Sequence, residues 1–268
     1  MLSLTLAVAS QAAPGQTIVG TIDRGEANRA EGHAVIGGQQ TLVYLPLNPA
    51  TGTVNLRLGR IGMDANGDGT IDFERFPGPE VVWAGEKPAL FRIAGHVVSV
   101  ESADMKARTF VLREHPASAY KYVDLRVGGP MPAFSYTEFD GRARKLSDFR
   151  GRYVLLDFWG TWCGPCLAEF PTLQTARERF AERGFEILGI DYEKGGGTLE
   201  HAREVVKERG VTWPNAAPET VKELVEDVLR ITAFPSKILV GPDGKVVAFI
   251  GFEITGDKLL QRLDSLIR

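Results

Sequence analysis

The pattern of hydrophobic and polar positions changes part-way along the chain. Up to residue 127, short segments either alternate apolar with polar residues or are rich in β-branched side chains, which favours β-strands. Glycine and proline separate these segments, and no long helical period occurs. We expect a mainly β domain over residues 1–127, an antiparallel sheet or a small sandwich. Its predicted strands are residues 17–22, 41–45, 91–93 and 97–100.

The pattern after residue 127 is typical of an α/β layer fold. Residues 153–159 form a nearly continuous apolar run, as in a strand that is covered on both faces, and residues 185–191 form another. Two apolar segments flank Gly-Pro-Asp-Gly-Lys at 241–245, which indicates a β-hairpin. We predict an α/β domain over residues 128–268, a central sheet flanked by helices. The apolar spacing predicts helices at 167–183, 198–209 and 219–230 and a closing helix near 259–267.

The Gly/Pro cluster at residues 127–132 marks the predicted domain boundary. The first 13 residues allow two interpretations, a secretory signal or a half-buried strand. No Lys or Arg precedes their apolar part, and leucines alternate with small or polar residues, so we favour the strand. If the protein is exported, we expect its signal to be missing from this chain.

Composition narrows the class of protein. An apolar fraction of 44% and a charged fraction of 24% are ordinary for a soluble globular protein. The net charge of −3 argues against a nucleic-acid partner or an anionic membrane surface. No apolar run approaches the roughly 20 residues that span a bilayer, so we expect no transmembrane segment.

The chain has two cysteines, Cys163 and Cys166, where a buried strand is predicted to give way to a helix. Residues three apart on a helix are neighbours, so the two sulfurs can join. The helix N-terminus favours a thiolate, and we expect Cys163 to be the exposed, attacking sulfur and Cys166 the resolving one. A zinc half-site, a structural disulfide and two idle thiols are weaker interpretations, because zinc needs four ligands and so short a loop gives little stability.

Residues 157–166 (Asp-Phe-Trp-Gly-Thr-Trp-Cys-Gly-Pro-Cys) resemble the active-site strand and turn of thioredoxins. Residues 146–151 (Leu-Ser-Asp-Phe-Arg-Gly) and 168–171 (Ala-Glu-Phe-Pro) resemble more closely the TlpA/ResA-like thiol–disulfide oxidoreductases. The resemblance implies a thioredoxin-like fold and a reductase that usually works outside the cytoplasm. It also implies protein thiols or disulfides as substrates and an upstream thiol electron donor. Keeping apocytochrome thiols reduced during cytochrome c maturation is a typical task. We expect the redox chemistry to require no cofactor.

The resemblance also assigns residues that position the substrate. Phe234-Pro235 resembles the cis-proline segment beside the redox pair, which receives the substrate chain in extended form. An ordinary trans turn is the alternative. Trp162, Gly164 and Pro165 complete the expected set, and the Gly-Pro dipeptide resembles that of reducing thioredoxins.

Two acidic residues are candidates for proton transfer or tuning. Asp157 lies six residues before Cys163, as in thioredoxins, and a carboxyl buried there would have a raised pKa and could accept the proton of Cys166. The alternative is a strand-end aspartate that faces water. The thioredoxin lysine near this carboxyl aligns with Ile187, so we expect no charge partner. Glu169 resembles a glutamate that tunes the cysteines, or it is a solvated helix residue.

Residues 64–72 (Asp-Ala-Asn-Gly-Asp-Gly-Thr-Ile-Asp) match much of an EF-hand-type calcium loop. The expected ligands of a structural Ca²⁺ are Asp64, Asn66, Asp68, Thr70 and Asp72. Arg75 replaces the usual final glutamate, and an Asx/Gly turn without an ion is the alternative. Such a loop mildly favours an extracytoplasmic, for example periplasmic, location.

Two other functions compete with the disulfide reductase. One is a calcium-stabilised protein-binding module whose redox site is incidental or regulatory. The other is a peroxiredoxin-like peroxidase, but its Thr-x-x-Cys approach to the cysteine is one residue short in Thr161-Trp162-Cys163.

Overall fold

The computed structural model describes residues 16–26, 29–48, 50–51, 53–56, 60–71, 81–83 and 88–268. The strand predicted within the first 13 residues lies outside these ranges. The chain divides into two compact units, Met1–Tyr122 and Val123–Arg268. The Gly/Pro cluster at 127–132 follows this division closely.

The first unit is an antiparallel β-sheet, as expected. Within the described residues it has eight strands, in the order β5-β4-β3-β2-β1-β8-β7-β6. All four predicted strands are confirmed, at β1, β3, β6 and β7. Strand β2 is absent from the prediction because its inward positions include the small residues Ala30, Gly32 and Ala34, which give a weak alternation. The strands are β1 Thr17–Glu26, β2 Arg29–Ile36, β3 Gln39–Pro46, β4 Arg60–Met63, β5 Val81–Trp83, β6 Phe91–Ile93, β7 His96–Asp104 and β8 Thr109–His115.

The second unit confirms the predicted α/β fold. A five-stranded sheet has the order β13-β12-β11-β14-β15, and a two-stranded β9-β10 ribbon precedes it. Strand β12 runs parallel to β11, whereas β14 runs antiparallel on the other side. The strands are β9 Ser135–Thr137, β10 Ala143–Lys145, β11 Tyr153–Trp159, β12 Phe185–Asp191, β13 Asn215–Ala216, β14 Ser236–Val240 and β15 Val246–Ile250. The helices are α1 Gly164–Phe180, α2 Leu199–Glu208, α3 Pro218–Glu223 and α4 Gly256–Leu266.

Helices cover both faces of this sheet. Side chains of β11 alternate between two apolar cores, because successive residues of a strand point to opposite faces. Leu156 and Phe158 pack in the core that α3 covers, and Leu155 and Trp159 pack with α1, α2 and α4. Among the described residues, no helix is both long and apolar enough to cross a membrane.

Two predicted helices differ from the observed ones. Helix α1 begins at Gly164, three residues before its predicted start, so it includes the segment between the cysteines. The helix predicted at 219–230 is α-helical only to Glu223 and continues as a π-helix over Leu224–Val228. The apolar spacing could not distinguish these two helical forms.

Candidate active site

Cys163 and Cys166 form a disulfide where β11 passes into α1. Their Cα atoms are 5.3 Å apart, as the spacing of three residues predicts. Cys163 caps the N-terminus of α1, and the backbone N–H of Cys166 donates to its sulfur at 3.3 Å. Free N–H groups and the helix dipole favour negative charge at this end, so Cys163 is the sulfur that the fold best supports as a thiolate.

Both cysteines are buried in this disulfide state. Cys163 is 4% exposed and Cys166 is 2% exposed, so the expectation of an exposed Cys163 sulfur is wrong. The reason is packing: both side chains belong to the apolar core of Trp159 and Phe170, and Phe234 packs against the same core. Exposure at this turn comes instead from Gly164 and Pro165.

Trp162 and Phe234-Pro235, which are predicted to position the substrate, lie beside the disulfide. We call these residues the substrate shelf. The Phe234–Pro235 peptide bond is cis, as the resemblance implied. The Phe234 ring meets the Trp162 indole edge-on, with centroids 5.1 Å apart. The indole remains 41% exposed, so it presents an apolar surface to an arriving chain.

Asp157 is 2% exposed, and its interpretation as a water-facing aspartate is wrong. It lies on the same face of β11 as Leu155 and Trp159, so its side chain points towards the layer that contains α1. Burial raises its pKa to about 7, the Lys237 charge opposes this rise, and the Glu169 charge adds to it. Asp157 is therefore a carboxyl that exchanges its proton near neutral pH.

The expectation that Asp157 has no charge partner is also wrong. Lys237 of β14 lies directly opposite Asp157 in the sheet register. Its Nζ is 2.5 Å from Oε2 of Glu169, and both side chains are essentially unexposed. Glu169 is therefore not a solvated helix residue. The aligned position, Ile187 on β12, could not reveal a lysine that a different strand supplies.

The chain is similar to known thiol–disulfide oxidoreductases. The AhpC/TSA family matches residues 127–249. The thiol-disulfide oxidoreductase ResA of Bacillus cereus strain ZK is 31% identical over 144 residues, which cover 54% of this chain and 78% of that protein. The chain belongs to the ResA-like thiol–disulfide oxidoreductases. ResA of Bacillus subtilis (strain 168) is 32% identical over 123 residues, 46% of this chain and 66% of that one. The thioredoxin domain of a Bacteroides vulgatus thiol-disulfide oxidoreductase is 31% identical with a TM-score of 0.47, covering 54% of this chain and all of that one.

As a ResA-like enzyme, the chain is a thiol–disulfide oxidoreductase. The roles of its individual site residues remain predictions. The cysteines, Asp157, Glu169 and the Trp162–Phe234 shelf all lie in the second unit, Val123–Arg268.

The prediction from sequence missed Tyr192 and Lys194 of the ResA-like site. The indole N–H of Trp162 donates to the Tyr192 carbonyl at 2.8 Å, and the Tyr192 ring stacks on Phe234. Lys194 Nζ lies 4.6 Å from the Trp162 ring centroid and 5.2 Å from that of Phe234. Both residues lie within three positions after the end of β12. Ligand and site residues commonly follow the carboxyl ends of parallel strands, so this position in the sequence could have indicated them.

Glu193 anchors the turn that leads into Cys163. One carboxylate oxygen accepts the Thr161 backbone N–H at 2.8 Å, and the other accepts the Thr161 hydroxyl at 2.7 Å. Asp191, at the end of β12, has no exposed surface. Burial and the adjacent Glu193 raise its pKa to about 9.

The predicted calcium loop lies in the first unit and is closed by its own hydrogen bonds. Asp64 accepts backbone N–H groups from Gly67 and Gly69, and Asp68 accepts the N–H and hydroxyl of Thr70. Asn66 accepts the N–H of Asp68. Asp72 lies outside the described residues, so the calcium site and the binding module built on it stay predictions.

Proposed function

We propose that this thiol–disulfide oxidoreductase reduces disulfides of partner proteins outside the cytoplasm and is itself recharged by an upstream thiol donor. The position of Cys163 at the N-terminus of α1, where the Cys166 N–H donates to its sulfur, carries the proposal. This position supports a stabilised thiolate, the reactive form in disulfide exchange.

The reduction proceeds in two exchanges. In the first, the Cys163 thiolate bonds to one sulfur of the partner's disulfide, whose S–S bond breaks, and the other partner sulfur leaves and takes a proton. In the second, Cys166 loses its proton and bonds to the Cys163 sulfur, which releases the partner's remaining thiol. The partner gains two electrons and two protons, and the enzyme ends in the disulfide state seen here.

The surface beside the disulfide supports a polypeptide substrate. Trp162 and Phe234 form an apolar wall next to Pro235, and the Trp162 indole is fixed although it is exposed. An extended chain that lies along this wall would place its cysteine against Cys163. We propose apocytochrome thiols as one substrate class, on the resemblance to the TlpA/ResA-like enzymes.

Reduction of insulin in the presence of dithiothreitol tests the proposal. We expect Cys163→Ser to abolish the catalysed reaction and Cys166→Ser to accumulate a mixed disulfide, because the first exchange then has no resolving thiol. Full activity in Cys163→Ser would overturn the proposal. A measured reduction potential of the Cys163/Cys166 pair of about −270 mV, as in thioredoxin, would support a reductant. A value of about −120 mV would indicate an oxidant.

The AhpC/TSA match favours one second candidate, a peroxidase that uses Cys163. It predicts consumption of hydrogen peroxide with dithiothreitol as reductant. Peroxide turnover that survives Cys166→Ser while insulin reduction is absent would support this candidate over the reductase.

A further inference from the structure

Lys194 is an exposed cation beside the substrate shelf that has no part in the proposed exchange. Its Nζ lies 4.6 Å from the ring centroid of Trp162, 5.2 Å from that of Phe234 and 5.4 Å from that of Tyr192. The face of an aromatic ring attracts an ammonium at such distances. Three rings therefore hold the Lys194 ammonium next to two of the residues that are predicted to receive the substrate.

The Lys194 ammonium has no anionic partner among the residues that the structure describes. The charge that acts on it is Glu226, whose carboxylate accepts the Tyr192 hydroxyl at 2.9 Å and lies 3.8 Å from Lys222 Nζ. Partial burial lowers the pKa of Lys194, and Glu226 opposes this change. Since an ammonium carries three N–H donors, Lys194 presents unused donors and a positive charge at the shelf.

The turn that carries Lys194 is fixed on both sides. Before it, the Glu193 carboxylate accepts the backbone N–H and the hydroxyl of Thr161, which ties the turn to the segment that leads into Cys163. After it, the Gly197 N–H donates to the Lys194 carbonyl at 3.2 Å. A Cβ at Gly197 would lie 2.0 Å from a Glu193 carboxylate oxygen, so the turn closes tightly on that side chain. The backbone of Lys194 is therefore in place before a substrate arrives, which reduces the cost of binding.

We propose that Lys194 is a specificity-determining residue that pairs with an Asp or Glu carboxylate beside the substrate's cysteine, so that the preferred partner is a polypeptide with an acidic segment around its disulfide. The Trp162 and Phe234 centroids are 5.1 Å apart, and an extended chain advances by about 3.3 Å per residue. A residue one or two positions from the attacked cysteine therefore comes within reach of the ammonium. This inference rests on the proposed function and names the substrate class of the same site.

The charges around the shelf support an acidic partner. The N-terminal end of α1, where Cys163 lies, is the positive end of the helix dipole, so it acts in the same direction as Lys194. A neutral peptide gains only the apolar contacts of Trp162 and Phe234, and a basic peptide is also repelled. Complementary charges at the edge of an interface act mainly on the rate of association and on the choice of partner. We therefore expect acidic peptides to react fastest and basic peptides slowest.

Three synthetic peptides, each closed by one internal disulfide, test this order on the full chain after its reduction with dithiothreitol. They differ only in the residues that flank the cysteines, which are Glu, Gln or Lys. Acid quenching and mass spectrometry give the rate constant for oxidation of the enzyme by each peptide. Each value is divided by that for dithiothreitol with the same peptide, which corrects for intrinsic reactivity. At low ionic strength, the Glu peptide should react about three to five times faster than the Gln peptide, and added salt should reduce this preference.

Variants of Lys194 separate its charge from its packing. Lys194→Met should remove the preference, Lys194→Arg should keep it, and Lys194→Glu should reverse it, so that the Lys peptide becomes the fastest. A change of packing alone would not reverse the order. Lys245→Met removes an exposed lysine that pairs with Asp243, and as the matched control it should behave like the wild type.

Equal corrected rates for the three peptides in the wild type would overturn the inference, as would an acidic preference that survives Lys194→Glu. The reduction of insulin separates this result from a failure of the proposed function. A wild type that reduces insulin but does not distinguish the peptides by charge would reject the role of Lys194 alone. A wild type that reduces neither insulin nor any peptide would reject the reductase function itself.

Discussion

Asp191 links the stability of the folded chain to pH at the level of a single residue. It ends β12 without exposed surface, and burial beside Glu193 raises its pKa to about 9 from an ordinary 3.8. Between these values the folded chain holds a proton that the unfolded chain releases. This stabilising contribution is complete below about pH 4 and is lost as the pH rises to 9. Asp157 acts in the same direction up to about pH 7.

Asp191→Asn tests this linkage. An amide cannot ionise, so the variant should gain melting temperature over the wild type as the pH rises, and the gain should be largest near pH 9. Thermal melts at pH 5, 7 and 9 measure the difference. Asp257→Asn changes an exposed aspartate and should differ from the wild type by the same amount at each pH. A gain for Asp191→Asn that does not depend on pH would contradict the raised pKa.

Individual site residues differ in how far sequence could predict them. Cys163 and Cys166 belong to one local motif, so their spacing along the chain was enough to place them, and Pro235 was placed by its resemblance to a cis-proline segment. Lys237 follows Pro235-Ser236 and resembles a strand residue that faces water. Its burial depends on the pairing of β14 with β11 and on an acidic residue from α1, which are contacts between distant segments.

At the scale of elements, the packing of β12 against β13 and β11 leaves no room for a side chain at Gly189 of β12. The indole N–H of Trp159 donates to Asn215 Oδ1 at 3.1 Å directly over Gly189. A Cβ at Gly189 would lie 2.0 Å from that oxygen and 3.0 Å from the indole nitrogen. Gly189 is therefore required for the close approach of these strands, and not for an unusual backbone conformation.

Gly189→Ala should destabilise the redox domain by at least about 2 kcal/mol, through overpacking and loss of the Trp159–Asn215 hydrogen bond. Urea unfolding followed by fluorescence measures the change. Gly164→Ala is the control for stability, because a Cβ there meets nothing within 4 Å. Equal stabilities for the two variants would contradict the steric argument.

Elements with a strong hydrophobic pattern were predicted correctly, and elements with a weak hydrophobic pattern were missed. The apolar runs at β11 and β12 and the hairpin of β14 and β15 are where the pattern placed them. The two-residue strand β13 is too short to show a period, and it exists because β12 pairs with it.

At the scale of the whole molecule, each unit has its own apolar core. Calorimetry should therefore resolve two unfolding transitions. Dithiothreitol should lower the transition of the redox domain alone by a few °C, since it opens a short disulfide loop in that unit. A shift of both transitions together would contradict independent unfolding.

The same scans in the presence of calcium or of a chelator test the predicted calcium loop. If that loop binds calcium, the unfolding transition of the first unit moves to a higher temperature when calcium is present.

The pairing of β1 with β8 has a consequence for how the first unit forms. Thr17 pairs with Arg113, so two neighbouring interior strands of this sheet, β1 and β8, come from distant parts of the unit. Local hairpins such as β1-β2-β3 can form early, but the sheet is completed only after a long loop closes, which slows folding. During synthesis, β1 therefore remains an unpaired edge until residues 109–115 leave the ribosome. A chain truncated before Thr109 would keep that edge and is expected to aggregate.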